Sequence, residues 1–258
     1  MRLIDNVYHV GCGSWNGGKA LSRDGGCNVF AVDCGTELAL IDAGFPSGLQ
    51  DVLDNIRADG LDPAKLRKVF VTHAHNDHVD ALADLLSRTD VTIYGHELTR
   101  ETLSGREGIY TPETKFKIVH APVHEVIKQG DSVVAGNVTF TVIELPGHTP
   151  DGLGFTFDFA GGRASFSGDT AIGDQPLPNG DVAKGVIGWI DARWKSNLSH
   201  HAASLEQLRS LKLSAFFGGH GVSFLNSADV QKSLDNCVWR LELLRSIPHL
   251  NTMTPVQV

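Results

Sequence analysis

Three histidines and an aspartate fall within the six positions of "HAHNDH", from His73 to His78. A lone histidine in a polar loop is ordinarily just solvated. Crowding four titratable groups is electrostatically wasteful unless a cation sits among them, and neutral imidazoles with a carboxylate are donors that zinc and other borderline divalent ions accept. In an extended segment residues two apart point the same way, so the spacing predicts that His73, His75 and Asp77 converge on one side. His78 joins them where the chain turns into a helix.

If two cations sit here, further ligands must come from elsewhere, and three motifs offer them. "LPGHTPDG" carries His148, "FSGDTAIGD" carries Asp169 and "FFGGHGVS" carries His220. Each lies beside small residues just after an apolar, strand-like run. Taken singly, each reads as an ordinary turn residue.

The elements that must position these groups follow from periodicity. "CNVFAVDC" (27 to 34) and "ELALIDA" (37 to 43) read as a hairpin, and "LRKVFVT" (66 to 72) as a buried strand running straight into the cluster. Leu49, Val52, Leu53 and Ile56 have helical spacing in 47 to 60, where Ser47 is the candidate cap and Gly60 the stop. Ala81, Leu82, Leu85 and Leu86 continue as a helix after the cluster, so the cluster lies at a strand-to-helix junction. Strands are expected at 91 to 95, 131 to 136, 137 to 145, 153 to 159, 163 to 168 and 214 to 219. Helices are expected over 204 to 212 and along the stripe Val230, Leu234, Val238, Leu241 and Leu244. Two layers of mixed sheet with helices outside accommodate this order.

The whole chain of 258 residues, 41% hydrophobic, carries no linker or internal repeat and is expected to form a single domain over 1–258. A net charge of -8 disfavours nucleic acid, whose affinity comes from clustered Lys and Arg, and favours a small-molecule substrate. With neither a secretory leader nor a membrane-spanning run in view, the expected location is the cytoplasm, away from any membrane. The four cysteines have no CxxC spacing and read as buried or free thiols.

Together, "THAHNDH", "PGHT", "SGDT" and "GGHG", preceded by "LIDAG", resemble the metallo-β-lactamase superfamily over about residues 27 to 222. That resemblance implies an α/β (α+β) fold, a four-layer αββα sandwich with a two-metal site at one edge of the paired sheets. By matching position it implies that His73, His75 and His148 hold one metal, that Asp77, His78 and His220 hold the other, and that Asp169 bridges both. Asp42 would orient a ligand or loop without binding metal. The implied cofactors are two divalent ions, zinc first, with iron or manganese as alternatives. The implied chemistry is hydrolysis by a metal-bridging hydroxide, with Asp169 and Asp77 as catalytic carboxylates and Asp77 chiefly a ligand.

Departures from relatives prune the substrate. Exported β-lactamases of this fold lack the bridging aspartate, glyoxalase II types carry a substantial C-terminal substrate domain, and the flavin-linked di-iron reductases have a glutamate where His75 stands. What remains resembles small lactonases and esterases, acting on an ester, lactone or thioester carbonyl. The alternatives are a mononuclear iron persulfide dioxygenase, and a phosphodiesterase or β-lactamase-like hydrolase. The loop 11 to 26 with Trp15, and the segment 174 to 196 with Trp189 and Trp194, are candidate substrate walls. His200 and His201 read as opening a helix and, with His96, His120 and His124, as surface or capping residues. Oligomeric state stays open, a homo-oligomer included.

Overall fold

The computed structural model describes residues 1–12, 20–23, 26–112, 119–176 and 181–247. Among these, one sheet follows chain order through β1 (Arg2–Ile4), β2 (Val7–Gly11), β3 (Val29–Asp33), β4 (Leu38–Ile41), β5 (Leu66–Phe70), β6 (Thr92–Gly95) and β7 (Glu125–Val126). It is antiparallel as far as β4 and parallel from β4 to β7.

The second sheet is built from β8 (Ser132–Ala135), β9 (Val138–Glu144), β10 (Leu153–Phe159) and β11 (Gly162–Phe166). After a small pair, β12 (Gln175–Pro176) with β13 (Val182–Ala183), it is completed by β14 (Ala215–Phe217), giving the order β14-β11-β10-β9-β8. Only the β11 to β14 contact is parallel.

Alternation along the strands decides what each face packs against. In β3, Phe30 and Val32 face the second sheet and, with Phe70 of β5, pack against its Phe140, Phe155, Phe166 and Phe217 in an inter-sheet core. Val29 and Ala31 face the other way, onto Leu49, Val52, Leu53 and Ile56 of α1 (Leu49–Ala58) and Leu82 and Leu85 of the helix over Leu82–Arg88. Phe70 lies 4.8 Å from Phe140 and 5.1 Å from Phe155 between ring centroids, so the two sheets are joined by aromatic contacts. The outer face of the second sheet packs Ile143 and Phe216 against Leu205, Leu208, Val230, Leu234 and Leu241, which come from the helices over Leu198–Ser210 and Ser227–Arg245. Helix, sheet, sheet and helix are thus the four layers expected from the sequence.

Local details depart from expectation. Ser47 does not cap α1: Pro46–Gly48 forms a 3-10 turn, and Gly48 takes the cap position with no side-chain bond. The cluster is not an extended strand to its end, because Asn76–Val79 forms a one-turn helix that carries Asp77 and His78. The helix expected over 204 to 212 begins at Leu198, capped by Asn197, whose side chain accepts from the N–H groups of Ser199 and His200. A further helix, Glu97–Leu103, was not legible in the sequence; His96 caps it, accepting from Leu98 N–H. Cys12, Cys27, Cys34 and Cys237 are all free and buried. Among the described residues no helix is long and apolar enough to cross a membrane.

Candidate metal centre

The segments that follow β4, β5, β9, β11 and β14 meet at one edge of the sandwich, and they deliver all seven predicted residues to one place. One group joins His73, His75, His148 and Asp169; another joins Asp77, His78 and His220. Within each group, ligand-type atoms lie within 4.8 Å of one another. The groups are adjacent: Asp169 Oδ2 is 3.6 Å from His148 Nε2 and 3.4 Å from His220 Nε2. A single carboxylate therefore reaches both.

Whether these residues fit metal can be judged from their own hydrogen bonding. His75 Nδ1 lies 3.0 Å from His73 Nε2 and 3.0 Å from His148 Nε2. One proton on Nδ1 can serve one of these contacts well and not both, whereas a cation among three lone pairs satisfies all three. Between the two groups, His78 Nε2 and Asp169 Oδ1 are buried without a hydrogen-bond partner, facing each other at 3.5 Å. Orphaned buried atoms of this kind call for an explanation, and the donor set supplies one.

Charge separates the two groups. Burial pushes His73 and His75 well below the ordinary imidazole range and also lowers His148, so all three are neutral, the form that ligates metal. Burial would also neutralise His220, but the Asp169 and Asp77 carboxylates outweigh it and raise it to about 10. Burial likewise opposes ionisation of Asp77, yet His78 and His220 bring it down to about 2. The second group is thus a place built to stabilise positive charge.

Supporting contacts fix the imidazoles. Asp42, with a left-handed φ of 59°, accepts the Thr72 N–H and the Thr72 hydroxyl, each over 2.8 Å, and the His78 Nδ1–H, also over 2.8 Å. That last bond leaves Nε2 of His78 toward the site. His148 donates from Nδ1 to the Trp189 carbonyl over 2.7 Å, and the Ser196 hydroxyl donates to the His148 carbonyl over 2.5 Å. Gly188 packs so closely there that a Cβ would fall 2.8 Å from His148 Nδ1.

Sequence reasoning missed some participants. Asp151, fully buried, accepts the Ala74 N–H over 2.9 Å and the Thr99 hydroxyl over 2.7 Å, tying the loop of His148 to that of His73 and His75. Its signal was its place three residues after His148. His201, read as a surface or capping residue, is instead buried and donates from Nε2 to the Thr170 carbonyl over 2.6 Å. Its position on the inner face of the helix over Leu198–Ser210 takes it out of solvent. His120 bonds the Leu103 carbonyl and His124 accepts from Ile93 N–H, both away from the cluster.

The centre forms the floor of a cavity of about 260 Å³ whose walls include Tyr110, Ile172, Gln175, Trp189 and Trp194. The Trp194 ring stands edge-on to His75 at 4.4 Å, and Trp189, 79% exposed, stands at the rim. Both predicted tryptophans therefore line the pocket; Trp15 lies outside the described residues.

A sandwich of this topology with a histidine and aspartate cluster at its edge defines a class, and the family's sequence profile places the chain in it. Residues 22–220 match that of the metallo-beta-lactamase superfamily, and the chain belongs to that superfamily. A "Hydroxyacylglutathione hydrolase" of Hahella chejuensis is 31% identical over 140 residues, 54% of this chain and 46% of that protein. The "Probable metallo-hydrolase YflN" of Bacillus subtilis is 27% identical over 215 residues, 76% of this chain and 80% of that one. The chain thus spans less than half the length of the hydroxyacylglutathione hydrolases it matches. Among solved structures, the subclass B3 metallo-beta-lactamase BJP-1 of Bradyrhizobium japonicum superposes with a TM-score of 0.72 at 19% identity, covering 98% of this chain and 94% of its own. At that identity the likeness is one of fold.

Proposed function

We propose that this chain is a single-domain, dinuclear metal-dependent hydrolase that cleaves an ester, lactone or thioester carbonyl of a small molecule. The observation that carries the reading is the convergence of seven ligand-type side chains from separate segments, with one carboxylate, Asp169, reaching both groups.

In this reading His73, His75 and His148 would hold one ion and Asp77, His78 and His220 the other, with Asp169 placed to serve either group. Zinc suits this histidine-rich donor set. Two such ions, when bound, supply Lewis acidity and a water acidic enough to act as nucleophile near neutral pH.

The chain's own residues do the rest. Asp42 and the Trp189 carbonyl hold the imidazoles of His78 and His148 in the tautomers that face inward. Asp77, kept ionised by His78 and His220, carries no proton to give at neutral pH and serves as a ligand. Tyr110, Ile172, Trp189 and Trp194 form an apolar wall that excludes water and seats the acyl or aryl part of the substrate beside the centre. Support for a thioester substrate comes from the relatives named hydroxyacylglutathione hydrolase and, in Passalora fulva, atrochrysone carboxyl ACP thioesterase.

A panel of lactones, aryl and alkyl esters, thioesters, phosphodiesters and β-lactams tests the reading, with Asp169→Ala as control. Turnover confined to carbonyl esters, lactones or thioesters and abolished in the variant is expected. Activity on phosphodiesters or β-lactams alone, or activity surviving the loss of Asp169, overturns it.

A further inference from the structure

Four consecutive carbonyls surround His220, and three of them are met by one residue from the opposite sheet. Asn28 Nδ2 donates to the Gly218 carbonyl over 3.0 Å and to the Gly221 carbonyl over 2.9 Å. Its backbone N–H donates to the Gly219 carbonyl over 2.6 Å, and the fourth carbonyl, that of His220, accepts from Gly173 N–H over 2.7 Å. Both amide hydrogens of Asn28 are thereby used, one on each side of the histidine.

The remaining atom of the amide is also held. His9 Nε2 lies 3.1 Å from Asn28 Oδ1, and because Oδ1 can only accept, His9 donates. The His9 ring stacks on Phe30 at 5.0 Å, while His9 and Asn28 are 1% and 3% exposed. The amide orientation is unambiguous, since a flipped Asn28 would set its oxygen against two carbonyl oxygens. This network is fully satisfied and buried, the condition in which a polar cluster fixes a single geometry.

What it fixes is a tight turn. Gly219 sits where a Cβ would fall 2.2 Å from Asp169 Oδ1, so the turn is pressed directly onto the centre. Metal–ligand distances tolerate only about 0.2 Å, so a turn free to shift would cost affinity at the ion that His220 serves.

We infer that Asn28, oriented by His9, is a positioning residue for the second metal: it clamps the turn 218–221 and so sets His220, acting from β2 and the segment entering β3 across to the loop after β14. This rests on the ligand set proposed above. Asn28 touches none of the reacting atoms; it acts through His220.

The test is a titration of metal-free protein with Co²⁺, read by its absorption spectrum, and with Zn²⁺ against a chromophoric chelator, resolving two dissociation constants. The wild-type chain, Asn28→Ala, His9→Gln and His220→Ala are compared. Asn28→Ala is expected to weaken one ion roughly 10- to 100-fold and leave the other at its wild-type value. Its remaining Co²⁺ spectrum should match that of His220→Ala. His9→Gln, which keeps a donor for Asn28 Oδ1, should bind both ions as the wild type does. Wild-type affinity at both sites in Asn28→Ala, or equal losses at both, overturns the inference. If Asn28→Ala does not fold, Asn28→Ser, which keeps one donor, is expected to give a smaller loss confined to the same ion, and a loss shared by both counts against the clamp. A wild-type chain that binds fewer than two ions would instead sink the ligand set.

Discussion

His148 donates its Nδ1 proton to the backbone carbonyl of Trp189 over 2.7 Å, so a residue of the ligand cluster and a residue of the pocket wall are held by one hydrogen bond. The bond uses the main chain of Trp189, leaving its indole, at the rim of the cavity, free for substrate.

Trp189→Ala should therefore separate binding from metal retention. The carbonyl remains, so metal content is expected to stay at the wild-type value, while KM for substrates with an apolar acyl or aryl group rises about 10-fold, the equivalent of about 1.4 kcal/mol. Steady-state kinetics beside elemental analysis of the same preparation check this. Unchanged KM would remove Trp189 from the substrate wall.

Asp42→Asn keeps the size of the side chain but offers only one acceptor atom where three donors now converge from Thr72 and His78. The expected outcome is a second ion held about 10- to 100-fold more weakly, with activity at limiting metal falling in step and recovering as metal is added. Activity lost without recovery at saturating metal would point to a different role for this carboxylate.

Stability should fall with acid in a window set by buried neutral imidazoles. Burial lowers His9 and His201 to about 4, from an ordinary value near 6.5. The unfolded chain takes up these protons first, so stability is full above about pH 6.5 and is lost as pH falls toward 4; below that both states are protonated and the loss levels off. For His201 alone the loss is about 3 kcal/mol at 1.36 kcal/mol per pH unit. Urea unfolding of the wild type and of His201→Gln at pH 7 and pH 4.5 checks the sign: the wild type should lose more than the variant between the two. Equal losses would contradict the assignment of His201 as a buried neutral group.

Much of the scaffold was legible because strands such as β3 and β5 alternate or run apolar, and because helix α1 repeats its leucines, valine and isoleucine at helical spacing. The ligand-type residues were legible because their types are rare together and each follows a strand. Other features have no local signature. Asn28 meets Gly218 across 190 residues of sequence, a contact that only the folded sandwich creates. His201 looks like any polar residue at the start of a helix until the Thr170 carbonyl is seen facing it. Strands of two or three residues, such as β1, β7, β12 and β13, are too short to show a period. Ser47, the candidate cap, lost to Pro46, whose fixed φ favours starting the 3-10 turn one residue earlier.

The dinuclear centre itself is tested by elemental mass spectrometry of protein purified without added metal. Close to two zinc ions per chain are expected, with Asp169→Ala retaining markedly fewer. Close to one iron per chain with little zinc would contradict it and favour the mononuclear oxygenase.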